Sequence, residues 1–83
     1  MATEHAWQPW VWIKWRNGAP SNAWETWKGN PTIEAAWNMQ GEWDCCLWLN
    51  CKSPADVEEF VWKNIRRNEW VGQTSTGWGK RWW

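Results

Sequence analysis

Apolar and polar positions along the chain divide into six short runs. Residues 10–15 read Trp-Val-Trp-Ile-Lys-Trp, a crowd of β-branched and aromatic side chains that predicts a strand with Pro9 at its start. Its alternation puts Val11, Ile13 and Trp15 on one face and Trp10, Trp12 and Lys14 on the other. Arg16 to Pro20 reads as a turn. A short helix is expected from Ser21 or Asn22 through Lys28, with Ala23, Trp24 and Trp27 on one stripe, stopped by Gly29-Asn30-Pro31. A second strand is expected from Ile33 to Gln40 and a third from Trp43 to Asn50, joined as a hairpin by a tight turn at Gly41-Glu42. The run from Trp43 to Leu49 is nearly continuously apolar, as in a central strand.

The clearest helix follows. Ser53 suits the N-cap, Pro54 the first helical position, and Asp56, Glu58 and Glu59 the positive end of the helix dipole. Val57, Phe60, Val61 and Ile65 recur at helical spacing, and Arg66 and Arg67 fall in the last turn. A fourth strand is expected from Val71 to Thr76, with Gly77, Gly79 and Lys80 to Trp83 as a fraying end or an added segment. The order is βαββαβ. It predicts an α+β, ferredoxin-like domain: a four-stranded antiparallel sheet with two helices on one face and the other face bare.

Composition sharpens this picture. Eighty-three residues allow one domain, with a core over about residues 9–78. Nine basic residues balance nine acidic ones, which argues against a dedicated nucleic-acid binder working by bulk charge. With 43% apolar residues the chain is not disordered. No apolar run approaches the roughly 18 residues that span a bilayer, and Met1 to His5 lacks the start of a signal peptide. A cytoplasmic protein with no membrane partner is expected.

Tryptophan is the outlier: fourteen Trp stand beside one Phe and no Tyr. An indole buries up to about 250 Å², and one small core cannot hold fourteen. Some must meet solvent, a ligand or another subunit. Two-sided apolar strands point to Trp10, Trp12 and Trp48 as a subunit contact on the bare sheet face.

The three cysteines make no disulfide framework. Cys45 and Cys46 point to opposite faces of a strand, and Cys45 and Cys51 stand about 20 Å apart along it. Reduced, mostly buried thiols are expected, with no metal site. His5 reads as a terminal residue and not as a base. No His or Ser lies beside Asp44, Cys45 and Cys46 to build a nucleophile, and no P-loop, dinucleotide fingerprint or HExxH occurs. No catalytic residues and no cofactor are expected.

The segment from Ile33 to Thr76 resembles the effector-binding (RAM) domain of the Lrp/AsnC transcription regulators. Pro31 to Trp37 looks like the lead into the family's second strand and Gly41-Glu42-Trp43-Asp44 like its G-x-aromatic-D turn. Ser53 to Ile65 is similar to its acidic second helix, and Val71, Thr74 and Thr76 to its V-x-x-T-x-T strand. Trp70 stands where the family usually has Gly, and the family's helix-turn-helix has no counterpart, so the resemblance implies a stand-alone form without direct DNA binding. It also implies a homo-oligomer, dimers assembling into a ring, with an amino acid or similar small metabolite between subunits. The positions matching the family's ligand turn are Gly41 and Asp44, with Met39, Gln40 and Trp43 alongside; Thr74 and Thr76 match the approaching strand. Gly41 would let a carboxylate reach backbone N–H groups, and Asp44 would accept from an ammonium. The plainer alternative keeps Gly41 as a turn residue and Asp44 as a backbone partner.

Two other functions fit the composition. One is a Trp-rich self-assembling structural subunit without a ligand. The other is a single-strand nucleic-acid binder stacking bases on Trp10, Trp12, Trp43 and Trp48, with Lys14, Arg16, Lys80 and Arg81 on phosphates. Against the latter, the third strand lacks the basic-Gly-aromatic signature, and Asp44 would repel phosphate.

Overall fold

The computed structural model describes residues 6–83; Met1 to His5, and with them the reading of His5, lie outside the described residues. Strands β1 (Gln8–Trp15), β2 (Ile33–Asn38), β3 (Cys45–Leu49) and β4 (Val71–Gly79) form one antiparallel sheet in the order β2-β3-β1-β4. This is the ferredoxin-like arrangement. Helix α1 spans Pro54–Phe60 and opens as the sequence predicts, with Ser53 Oγ accepting from the Asp56 N–H at 3.2 Å. It continues as a π-helical segment, Val61–Ile65, in which the Arg66 N–H reaches the Val61 carbonyl at 2.8 Å. No helix among the described residues is long and apolar enough to cross a membrane.

Alternation along β1 sorts the sheet into two faces. Val11 and Ile13 are fully buried with Leu47 and Leu49 of β3, against Val57, Phe60, Val61 and Ile65. Trp15 stacks on Trp27 at 5.4 Å between ring centroids and closes the same layer. The opposite face carries Trp10, Trp12 and Lys14, with Trp48 and Cys46 beside them in register. No helix covers it.

Several boundaries depart from the sequence reading. The first helix is a five-residue 3-10 helix, Ala23–Trp27, and Asn22 makes no side-chain cap. Ala23 and Trp27 are buried, but Trp24 turns outward, 42% exposed, with its indole N–H on the Ser21 carbonyl. Gly29 stops the segment at φ +83°, as expected. The hairpin turn is not the two residues Gly41-Glu42. β2 ends at Asn38, β3 begins at Cys45, and the Met39 N–H donates to the Asp44 carbonyl at 2.8 Å across the connection. Trp43 and Asp44 therefore leave the strand, because the Asp44 side chain is bonded to β1 instead.

The largest correction concerns the C-terminal end. Gly77 and Gly79 do not fray: β4 runs to Gly79, pairing Gly77 with Trp10 and Gly79 with Gln8. Glycine is required there because the Trp10 indole lies across the strand. A Cβ on Gly77 would sit 2.5 Å from Trp10 Nε1, and one on Gly79 2.9 Å from the far ring carbons. Gly77→Ala is expected to displace the indole and cost about 1–3 kcal/mol, read as a lower urea midpoint at unchanged slope.

The thiols follow the sequence reading. All three cysteines are free; Cys45 and Cys46 are buried and Cys51 half-buried. Burial, with Asp44 and Cys46 adding to it, pushes the Cys45 thiol up to about 12. A thiol held protonated in this way is a packing group and a poor nucleophile.

Candidate ligand cleft

Where β1 leaves the sheet and β4 enters it, strand pairing is irregular. The β1–β4 register shifts between Lys14 and Trp15, and the β1–β3 pairing ends at Ile13 and Cys45, which leaves the Trp15 N–H beyond the ladder on the β3 side. Asp44 Oδ2 accepts it at 2.8 Å, while the Asp44 N–H donates to the Ile13 carbonyl at 2.9 Å. Asp44 thus ties the β2–β3 connection to the end of β1. The next backbone group, the Arg16 N–H, donates to the Trp70 carbonyl at 2.7 Å. These bonds hold open a cleft of about 570 Å³ lined by Arg16, Trp43, Arg66, Gln73, Thr74 and Ser75, with Val71 and Gly72 behind them.

Two cations and no carboxylate line this cleft. Arg16 is aimed by its Nε–H, which donates to the Val71 carbonyl at 3.2 Å. The Arg66 guanidinium stacks over the Trp62 ring at 4.8 Å. Trp43 is braced from behind by the Trp12 ring at 6.0 Å and by Lys14 Nζ at 5.9 Å. The walls offer an anion-binding end, hydroxyls at Thr74 and Ser75, and an indole edge.

The residues singled out from the sequence are distributed unevenly around it. Trp43 and Thr74 line the cleft together. Asp44 adjoins it, on the β3 side of Ile13, while Thr74 pairs with Ile13 from the β4 side. Its carboxylate is already engaged by Trp15, so a ligand ammonium would share it. Met39, Gln40 and Gly41 lie exposed on the connection, Gly41 at φ +116°, and do not line the cleft. Thr76 borders a separate hollow beneath the helix, with Trp62 and Trp78.

The sequence reading gives Arg16 only as a phosphate contact of the nucleic-acid alternative and Arg66 only as a helix-end cation, neither as a residue of the effector site. Arg16 follows β1 directly and Arg66 follows the helix, so both chain segments end at one edge of the domain. That shared edge is the signal in the element order that could have found them. Among the described residues no group of three or more His, Cys, Asp and Glu could hold a metal ion.

Residues 10–77 match the family model of the Lrp/AsnC ligand binding domain. The chain belongs to the Lrp/AsnC family. No curated protein sequence matches it. Among solved structures, it is similar in fold to TTHA0845 from Thermus thermophilus (TM-score 0.77, 19% identity, 94% of this chain and 98% of that one). It is also similar to E. coli AsnC (TM-score 0.74, 12% identity), covering 88% of this chain and 50% of AsnC. A third is the Neisseria meningitidis transcriptional regulator NMB0573, solved as its L-Met complex (TM-score 0.74, 15% identity, 93% of this chain and 51% of that one). This Lrp/AsnC-type domain thus spans nearly all of the first protein and about half of each regulator. The ferredoxin-like fold read from the element order is the fold these proteins share.

Proposed function

We propose that this Lrp/AsnC-type ligand-binding domain is an oligomeric effector module that holds a free amino acid or a closely similar metabolite in the cleft between Arg16, Trp43, Arg66 and Thr74. The observation that carries the reading is the chemistry of that cleft. Two guanidinium groups with no carboxylate among the lining residues suit a ligand carboxylate, bound as a charge-assisted pair. The Thr74 hydroxyl orients the ligand, and the Asp44 oxygen nearby accepts from its ammonium while still holding the Trp15 N–H. The volume is ample for an amino acid, and the Neisseria regulator that shares the fold was solved with L-Met. A partner subunit would close the open side, which fits assembly through the bare sheet face and then into rings. No chemical step belongs to this site: it binds, and the domain reports occupancy through assembly to a partner that reads DNA.

The test is a thermal-shift panel of the twenty standard amino acids. A true effector at about 100 times its dissociation constant adds about 2.7 kcal/mol of stability. One or a few amino acids are expected to raise the melting temperature while their methyl esters, which lack the carboxylate, do not. A panel with no response, or equal response to the esters, contradicts the reading.

A further inference from the structure

We infer a second binding site, on the helix side of the sheet between the 3-10 helix and β2, for a flat, mostly apolar molecule that carries one carboxylate. The 3-10 helix is only five residues long and cannot cover the outer strand. Ala36 shows the result: it pairs with Leu47 in register, on the core side of β2, and is nevertheless exposed. What remains is a groove of about 550 Å³, within the range of small-molecule pockets. Trp37, the outermost ring of the indole row on the other face, borders its far edge.

Its walls are fixed before any ligand arrives. Trp15 and Trp27 stack at an interplanar angle of 15°, and the Trp27 indole N–H is held by the Asn64 carbonyl at 3.1 Å. Trp24 forms the rim, its N–H held by the Ser21 carbonyl at 3.1 Å. With its N–H engaged, the exposed Trp24 has its ring to offer, while the buried Trp27, stacked on Trp15, stiffens the wall behind it. Leu47 and Ile33 make the floor, and the small side chain of Ala36 leaves it open. Such a preformed apolar slot favours a rigid planar guest, which loses little freedom on binding.

Charge sets the remaining feature. Lys28 lines the groove with its ammonium 6.0 Å from the Trp24 ring centroid and makes no ion pair among the described residues. Glu34 also lines it, but its carboxylate takes the Gln8 side-chain amide. A guest ring against Trp24 would place its carboxylate at Lys28. An aryl carboxylate fits; an aliphatic amino acid, with its ammonium and small side chain, suits the other cleft.

Isothermal titration of the full chain with 2-naphthoate and with its neutral amide, 2-naphthamide, tests this site. Wild-type protein is expected to bind naphthoate at least fivefold more tightly than naphthamide. Lys28→Gln removes that difference, and Lys28→Arg restores most of it. Trp24→Ala weakens both probes tenfold or more; because Lys28 is an exposed surface residue, the Lys28 series still decides the matter if Trp24→Ala fails to fold. Arg66→Gln, in the other cleft, leaves naphthoate binding unchanged. No binding at millimolar naphthoate, equal affinity for the two probes, or loss of naphthoate binding on Arg66→Gln overturns the inference. None of these results depends on whether an amino acid binds beside Thr74.

Discussion

Trp48→Glu is expected to convert the assembled protein into a folded, soluble monomer. Trp48 links Trp37 to Trp10 in a continuous row of indoles on the bare sheet face. Its ring meets Trp10 at 5.2 Å and Trp37 at 5.6 Å; Trp10 meets Trp12 at 5.9 Å, and Trp12 meets Trp43 at 6.0 Å. Five large rings in one row are an unusually apolar surface for a monomer to expose. A standard interface buries about 800 Å² per partner; with Trp37 exposed and Trp10, Trp12, Trp43 and Trp48 half-buried, the row supplies part of that area and its neighbours on the face the rest. In the proposed dimer like faces would pair about a twofold axis, which would bury Trp48 in the contact. A carboxylate there is buried without a partner, at a cost of about 3–5 kcal/mol, which is roughly a hundredfold to several-thousandfold in dissociation constant. Sedimentation velocity at micromolar concentration reads the change directly. Wild-type protein that sediments as a monomer would show that the indole row is satisfied within one chain.

Asp44→Ala is expected to destabilise the domain by about 1.5–3 kcal/mol, the range for a hydrogen bond to a charged group. The Trp15 N–H loses its acceptor at the point where β1 leaves the ladder, and no neighbouring strand can replace it. Asp44→Asn keeps a side-chain carbonyl for that N–H and should recover a substantial part of the loss. Urea denaturation measures both, and amide exchange at Trp15 should quicken in the alanine variant. A small domain with about 5–15 kcal/mol of total stability feels such a loss strongly. If Asp44→Ala leaves stability untouched and abolishes only the response to amino acids, the carboxylate serves the ligand alone. If it does both, one side chain holds the strand and the guest together.

Much of this fold is legible in the sequence, and the reasons are local. Alternation in Trp10 to Trp15 separates the two sheet faces correctly because the period of a strand is two. Ser53 and Pro54 mark the start of α1 because caps are short-range chemistry. The losses occur where a distant partner decides. Nothing near Gly77 in sequence says that Trp10 will lie across it, so a strand reads as a frayed end. The Met39–Asp44 connection reads as a two-residue turn because the bond from Asp44 to Trp15 spans 29 positions of sequence. Trp24 reads as a core residue because its spacing to Trp27 is helical, but a 3-10 helix this short buries only part of its surface. In the cleft, Trp43 and Thr74 come from family resemblance. Arg16 and Arg66 come only with the element packing, which brings the end of β1 to the end of the helix. The high tryptophan count finds a partial account: five indoles share the bare face, and four line the second groove, Trp37 belonging to both.

The most direct test of the effector reading is a titration followed by ¹H–¹⁵N correlation spectra, using the amino acid that stabilises the domain most. The account predicts that the Thr74 backbone amide, the Trp43 indole N–H and the Arg16 side-chain Nε–H shift together, saturating at one ligand per chain. Resonances of Ala35 and Ala36 should stay in place. Saturable shifts confined to other parts of the sheet, or no shift with any amino acid, would contradict it.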